Sequence, residues 1–249
     1  MRRIIGLLLC LILLAGCGAG APARNEPPGL PAGLTIEQVA LVRDGEGGLT
    51  DVARTLAGRP EIANKRKRWR ELPRTDLVAL NLTAEEERWL LHPPVQVGET
   101  PVYARANQQW EVEVVAGGEV VYTYRHPKAL RMASPHHMVQ GLTAWNGQWV
   151  LETVEAKVLV GGESLNERLG YPEIFGFRLI AGKPFFFFTQ EGKVRLSYDG
   201  QVLPNHFDRV PHYGCCESTA YNPRGSEQMV SFFGLRDGQW YHVDLGVYD

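Results

Sequence analysis

Two cysteines stand side by side at the end of the run His212-Tyr213-Gly214-Cys215-Cys216, and His206 lies shortly before it. Sulfur and imidazole together suit zinc or copper(I), so His206, His212, Cys215 and Cys216 are candidate metal ligands. The spacing H-x5-H-x2-C-C matches no common zinc pattern, and adjacent cysteines reach one ion only from a bent backbone. A second chemistry is a disulfide between the neighbours. Consecutive Cα atoms lie about 3.8 Å apart, below the usual disulfide range of about 4.4–6.8 Å, so the eight-membered ring must twist or isomerise its own peptide bond. Gly214 supplies backbone freedom for such a turn, and the strained bridge would be more easily reduced than a structural one. In the third reading the thiols stay reduced and point to opposite faces of a strand, one of them buried.

Other chemistry is thinner. There is no G-x-S-x-G, no H-E-x-x-H and no glycine-rich phosphate loop. Asp199 and Asp237 precede glycines and belong to turns. Glu173, Asp208 and Glu217 are carboxylates of the type that hydrolyses glycosides in pairs, but the sequence does not set their separation. His136-His137 follows a proline and reads as loop. Trp145 and Trp149 flank a turn, and with Tyr213 they are candidates for an aromatic ligand platform; cross-strand packing is the competing use of such rings. No catalytic residue and no cofactor are assigned.

The chain opens MRRIIGLLLCLILLAGCGAG, with Arg2 and Arg3 ahead of an eleven-residue apolar run, Ile4 to Leu14. A permanent membrane helix needs about 20 apolar residues, so this stretch reads as a signal peptide. Its end, Leu14-Ala15-Gly16-Cys17, resembles the lipobox of bacterial lipoproteins. The resemblance covers only these first residues. It implies cleavage of 1–16, lipidation of the Cys17 thiol and acylation of the new amino terminus. Several acyl chains hold a protein stably at a membrane. Gly18, where an aspartate would retain the protein at the inner membrane, favours the outer membrane in a Gram-negative cell. Cys10 would leave with the leader and Cys17 would carry lipid, so Cys215 and Cys216 remain in a compartment that oxidises thiols.

Loss of Arg2 and Arg3 leaves 24 basic against 28 acidic side chains, a net charge of −4. That balance offers no general attraction to nucleic acid, and none is expected as a partner. Residues 17–33 give the lipidated cysteine and a Gly/Ala/Pro spacer. Residues 34–97 read as short helices, with capping-box spacings at Thr35/Gln38 and Thr83/Glu86 and a stop at Pro93-Pro94. The basic run KRKRWR, 65–70, reads as a solvated helix face, with lipid headgroup contact as the alternative.

From 98 to 249 the pattern is that of an antiparallel β domain. Asn146-Gly147, Asp199-Gly200 and Asp237-Gly238 are residue pairs that two-residue hairpins demand, because both positions take positive φ. Two stretches overlie at a shift of 35 to 38 residues: Gly147 falls on Gly182, Lys157-Val158 on Lys193-Val194, Gly162 on Gly200, Leu165 on Leu203 and Tyr171 on Phe207. The expected fold is mainly β, a hairpin-rich sheet folded as a sandwich, an open barrel or a partial propeller-like repeat, preceded by a short helical region. In Pro184-Phe185-Phe186-Phe187-Phe188 the side chains alternate, so both faces of that strand must be covered. The function expected is a non-catalytic binding or scaffolding module, lipid-anchored at the bacterial envelope, with an envelope ligand or protein as its partner. The alternatives are an extracytoplasmic hydrolase of carbohydrate or cell-wall material and a small redox or metal protein centred on Cys215 and Cys216.

Overall fold

Tight glycine turns cut the chain into short strands, and each sheet is a meander of neighbours, joined in one case by a strand from far away in sequence. The computed structural model describes residues 29–41, 80, 82, 87–125, 137–213 and 222–247. Cys17 and most of the spacer, the basic run 65–70, His136, Cys215, Cys216 and Glu217 lie outside the described residues.

The first sheet is β2 (Leu90–Val97), β3 (Thr100–Ala106), β4 (Val112–Ala116) and β5 (Glu119–Tyr124). The second is β6 (Val139–Trp145), β7 (Gln148–Thr153), β8 (Lys157–Val160) and β9 (Glu163–Ser164). The third is β10 (Ile174–Ile180), β11 (Lys183–Gln190), β12 (Lys193–Tyr198) and β13 (Gln201–Phe207). In the fourth, β14 (Arg224–Gly225), β15 (Met229–Arg236) and β16 (Gln239–Val247) are completed by β1 (Leu34–Ala40), the earliest strand described. All pairings are antiparallel, and strand order within each sheet follows the chain apart from β1. The protein is thus mainly β, with no closed barrel among the described residues.

Three apolar clusters fill the spaces between successive sheets. Val102, Val114, Leu142 and Leu151 join the first sheet to the second; Val150, Val158, Ile174 and Phe188 join the second to the third; Phe175, Phe187, Phe232 and Leu245 join the third to the fourth. Successive sheets therefore stack face to face, as in a sandwich, while the unit repeats like the blades of a propeller. The phenylalanine run shows why. Phe185 and Phe187 enter the cluster shared with the fourth sheet, Phe186 and Phe188 the cluster shared with the second. Both faces of β11 are dry, as the alternation requires.

The turn residues behave as their types dictate. Asn146 and Gly147 (φ 50° and 72°), Asp199 and Gly200 (52° and 76°), and Asp237 and Gly238 (51° and 75°) all take left-handed conformations. The 35-to-38-residue shift is the step from the second sheet to the third: Gly147 and Gly182 sit in the first hairpin of each, Lys157 and Lys193 open the third strand, and Gly162 and Gly200 sit in the last hairpin. The correspondence fades beyond that point. β9 has two residues and runs into a short helix, Leu165–Leu169, capped by Ser164 and closed by Gly170, whereas β13 continues for seven.

At the Ala181-Gly182 turn, alanine occupies a position (φ 50°) that costs an L-residue about 1–2 kcal/mol and that asparagine tolerates. The exposed substitution Ala181→Asn is expected to raise stability by about 0.5–1 kcal/mol, read as a higher urea midpoint with an unchanged m value.

The expectation of a helical region across 34–97 needs correction where the structure describes it. Thr35 and Gln38 do not cap a helix; they lie in β1, which pairs with β16 from Leu34↔Val247 to Ala40↔Tyr241. A one-turn helix is marginal by itself. The open edge of β16 offers seven residues of ladder, and Leu34 and Val39 are buried there. Likewise Glu87 and Arg88 are helical, but β2 begins at Leu90, so the β domain starts before 98. Pro93 and Pro94 fall in β2 where the pairing skips from His92↔Ala104 to Val95↔Val102, a bulge at which the missing proline donors are tolerated.

Candidate functional site: a polar centre at the Gly176 bulge

The first strands of the sheets run beside one another. β2 packs on β6 and β6 on β10; β10 reaches the fourth sheet through Ala181 N–H, which donates to the Glu227 carbonyl at 2.7 Å. Each of β2, β6 and β10 carries a register irregularity near its start: on either side of His92, between Val139 and Gly141, and between Phe175 and Arg178. The one in β10 builds the polar centre.

Pairing of β10 with β11 breaks between Phe175 and Arg178. The bulge turns two consecutive N–H groups off the ladder, and Glu152 of β7 accepts both, Gly176 N–H on Oε1 at 2.5 Å and Phe177 N–H on Oε2 at 2.9 Å. Glu152 reaches them because alternation points Val150 and Glu152 at the third sheet while Trp149 and Leu151 face the first. Burial pushes the Glu152 carboxyl up to about 7, against the opposing pull of Gly176 N–H, the Arg178 charge and Phe177 N–H.

Gly176 is forced at its position. Its φ is +65°, and a Cβ there would stand 2.8 Å from the Phe187 ring and 3.0 Å from Pro223 Cγ. Its N–H is also shared with the Tyr213 hydroxyl oxygen at 3.0 Å. Arg178 donates from Nε to the Gly176 carbonyl at 3.4 Å, and its guanidinium lies over Gly225 of β14. Desolvation holds the Arg178 pKa below its ordinary value, with the Glu152 charge working against that.

His212 stacks on Phe175, centroids 3.7 Å apart and planes 8° from parallel. Its Nδ1 donates to the Val210 carbonyl at 2.8 Å, which leaves Nε2 as the acceptor nitrogen of a neutral ring, and burial lowers its pKa. On the far side of residues 214–221, the Asn222 amide imitates a peptide group. It accepts from Phe233 N–H at 2.8 Å and donates to the Phe233 carbonyl at 3.2 Å and to the Pro211 carbonyl at 2.5 Å. The chain entering and the chain leaving 214–221 therefore both rest on the Gly176 bulge, one through Tyr213 and the other through Pro223.

The candidate residues named from sequence are distributed unevenly. Tyr213 and His212 reach this centre, whereas His206 is exposed on β13 opposite Arg195. Among the described residues no three His, Cys, Asp or Glu side chains are grouped to hold a metal ion. Trp149 is buried between the first and second sheets beside Tyr122, and Trp145 packs on Phe177 between the second and third. The three proposed platform rings thus serve three different interfaces. Glu173 accepts from the Thr189 hydroxyl at 2.8 Å, and Asp208 pairs with Lys193 and accepts from Asp237 N–H at 2.7 Å.

A second buried polar group lies in the fourth sheet: Ser231, His242 and Asp244. Its residue types suggest a hydrolytic triad, but the Ser231 hydroxyl donates to Asp244, and His242 Nδ1 lies 3.8 Å from the other Asp244 oxygen. The link from nucleophile to base that such catalysis needs is replaced by one from nucleophile to acid.

Glu152, Gly176 and Arg178 went unnamed in the sequence reading, although it held a signal for each. Glu152 interrupts the apolar strand WVLETV, and Gly176 and Arg178 interrupt IFGFRLI. A charge on a dry strand face requires a buried partner, and a mid-strand glycine marks a bulge.

No protein-family model matches the chain, and no curated protein matches it in sequence. Among solved structures, the crystal structure of BBS1N in complex with ARL6DN, soaked with lead, is 10% identical with a TM-score of 0.29, covering 61% of this chain and 48% of that one. The same complex soaked with mercury gives the same values. The chain thus spans about half the length of the structures it resembles, and a likeness of that degree brings no function to it.

Proposed function

We propose that the protein is a non-catalytic binding or scaffolding module of the bacterial envelope, tethered by lipid at Cys17. The observation that carries the binding reading is the engagement of the interior acids by the fold itself. Glu152 holds two backbone N–H groups of β10, and Asp244 holds the Ser231 hydroxyl. Groups that would do acid–base work are committed to the frame, Glu152 fixing the second sheet on the third and Asp244 tying β16 to β15. The second and third sheets, packed on both faces, make that frame stiff. The lipobox motif supports the tether.

The runner-up, a hydrolase, draws on the Glu152 carboxyl at about 7, which falls in the range of a general acid at neutral pH. The full-length protein, expressed in a bacterial host and extracted from membranes, is expected to carry a diacylglycerol-plus-acyl mass increment that Cys17→Ser abolishes. An unmodified mass would end the tether reading. Incubated with cell-wall glycan, the extracted protein is expected to leave it uncleaved; turnover that disappears in Glu152→Gln would replace binding with hydrolysis.

A further inference from the structure

Arg178 is half-buried where the third and fourth sheets meet, and its place there is built. A Cβ at Gly225 would stand 1.8 Å from its Nη1 and 2.9 Å from its Cζ, so the guanidinium occupies the space that glycine leaves open. Other half-buried arginines have a protein partner for their charge. Arg105 lies 2.9 Å from Glu113, Arg195 lies 3.8 Å from Glu191, and Arg236 sits 4.6 Å over the Tyr241 ring. No carboxylate or ring of the described residues lies at ion-pair or stacking distance from Arg178. Among the described residues its single hydrogen bond runs from Nε to Gly176 O. Glu152, whose charge it feels, has its two oxygens directed at the Gly176 and Phe177 N–H groups.

Removing a guanidinium from water is unfavourable unless an anion meets its donors. Its terminal nitrogens form a planar fork that matches a carboxylate or a phosphoryl group in two parallel hydrogen bonds. We propose that Arg178 is the anchor of a ligand site, and that the ligand is a small molecule bearing a carboxylate or phosphate group received on the terminal nitrogens of the guanidinium. The site rests on the binding-module reading and gives it a ligand class. Glu152 limits the class: a second acidic group close to the first would face its carboxylate, so a singly anionic headgroup fits best. Gly225 admits the arginine, and the Gly176 carbonyl at the bulge fixes its direction.

The test uses full-length protein in detergent micelles, labelled with 15N-arginine and titrated separately with inorganic phosphate and with acetate, each against sodium chloride of equal ionic strength. The Arg178 Nε–Hε resonance is assigned by its loss in Arg178→Lys or Arg178→Gln. The expected result is a saturable shift of that resonance with at least one of the two anions, a parallel rise in Tm, and a loss of affinity of about tenfold or more in Arg178→Lys, which keeps the charge without the fork. A response to phosphate alone assigns a phosphate-bearing ligand, a response to acetate a carboxylate-bearing one. No saturable shift with either anion, or anion-dependent changes that leave the Arg178 resonance in place, overturns the site. The shift is read in the unmodified protein, and the assignment needs only one of the two variants to keep the other arginine resonances in place; if neither does, assignment by through-bond and through-space correlation in the unmodified protein replaces it. The two proposals fail separately: lack of anion binding leaves a module that docks elsewhere, whereas turnover of cell-wall glycan removes the module reading and leaves the anion result intact.

Discussion

Alanine at position 176 is expected to lower the unfolding free energy by about 3 kcal/mol, whereas alanine at position 141 changes it by less than about 1 kcal/mol. The two glycines occupy the same place in successive sheets, the third residue of β10 and of β6. Their surroundings separate them. Gly176 has φ +65°, which costs an L-residue about 1–2 kcal/mol, and its Cβ would press on Phe187 at 2.8 Å and Pro223 at 3.0 Å. Relief of such crowding costs a further 1–3 kcal/mol or so. Gly141 has an ordinary φ, and its Cβ would meet Glu152 at 3.6 Å, a normal contact, while the unfolded chain loses some freedom. Chemical denaturation of both variants against the unmodified protein checks this. Equal losses would mean that the bulge at Gly176 is not the constraint that the geometry describes. Because domains are stable by only about 5–15 kcal/mol, the Gly176 variant is also expected to show a clearly lower Tm.

Glu152 is expected to make stability fall as pH rises from about 4.5 to 7. The carboxyl titrates near 7 in the folded chain, raised from 4.5 chiefly by burial. Between those values the folded state holds a proton that the unfolded state has released, so the folded state is favoured at the acid end and the advantage is lost as pH rises through 7. The raised pKa corresponds to about 3 kcal/mol across the window. Glu152→Gln keeps the shape and an acceptor for one N–H group without the titration, so the difference in stability between the two proteins is the informative curve. It should slope through pH 5–7 and level off above. The groups with depressed values, Asp208 beside Lys193 and Glu111 beside Asn107 and Arg125, act at lower pH and are common to both proteins. A difference curve flat from pH 5 to 8 would place Glu152 among ordinary carboxylates and remove the main argument for the hydrolase alternative.

The two predictions concern one contact, that of a carboxylate on the second sheet with a bulge on the third. The same bulge receives Tyr213 and Pro223, so the stretch that opened the sequence question, His212-Tyr213 before the paired cysteines, is positioned by it. A chemical role for those cysteines was approachable from sequence only as three alternatives. Their flank could be traced to Gly176 only once Phe175 was seen beneath His212 and the Tyr213 hydroxyl on the Gly176 N–H.

The sequence by itself determined whatever depends on near neighbours along the chain. Asn146-Gly147, Asp199-Gly200 and Asp237-Gly238 turn because those pairs take positive φ at little cost, whatever surrounds them. Phe185 to Phe188 bury on two faces because a strand alternates, and the repeat from Gly147 to Gly182 is visible because each sheet uses the same turn grammar. Tertiary structure decided what depends on distant partners. Leu34–Ala40 has helix-like capping chemistry and becomes a strand because β16, more than two hundred residues later, offers an open edge. Glu152 acquires its raised pKa from β10, and Arg178 finds its space above a glycine of β14. Local conformational energies are carried in the residues themselves, whereas ladder pairing, burial and desolvation are properties of whichever surfaces the folded chain brings together.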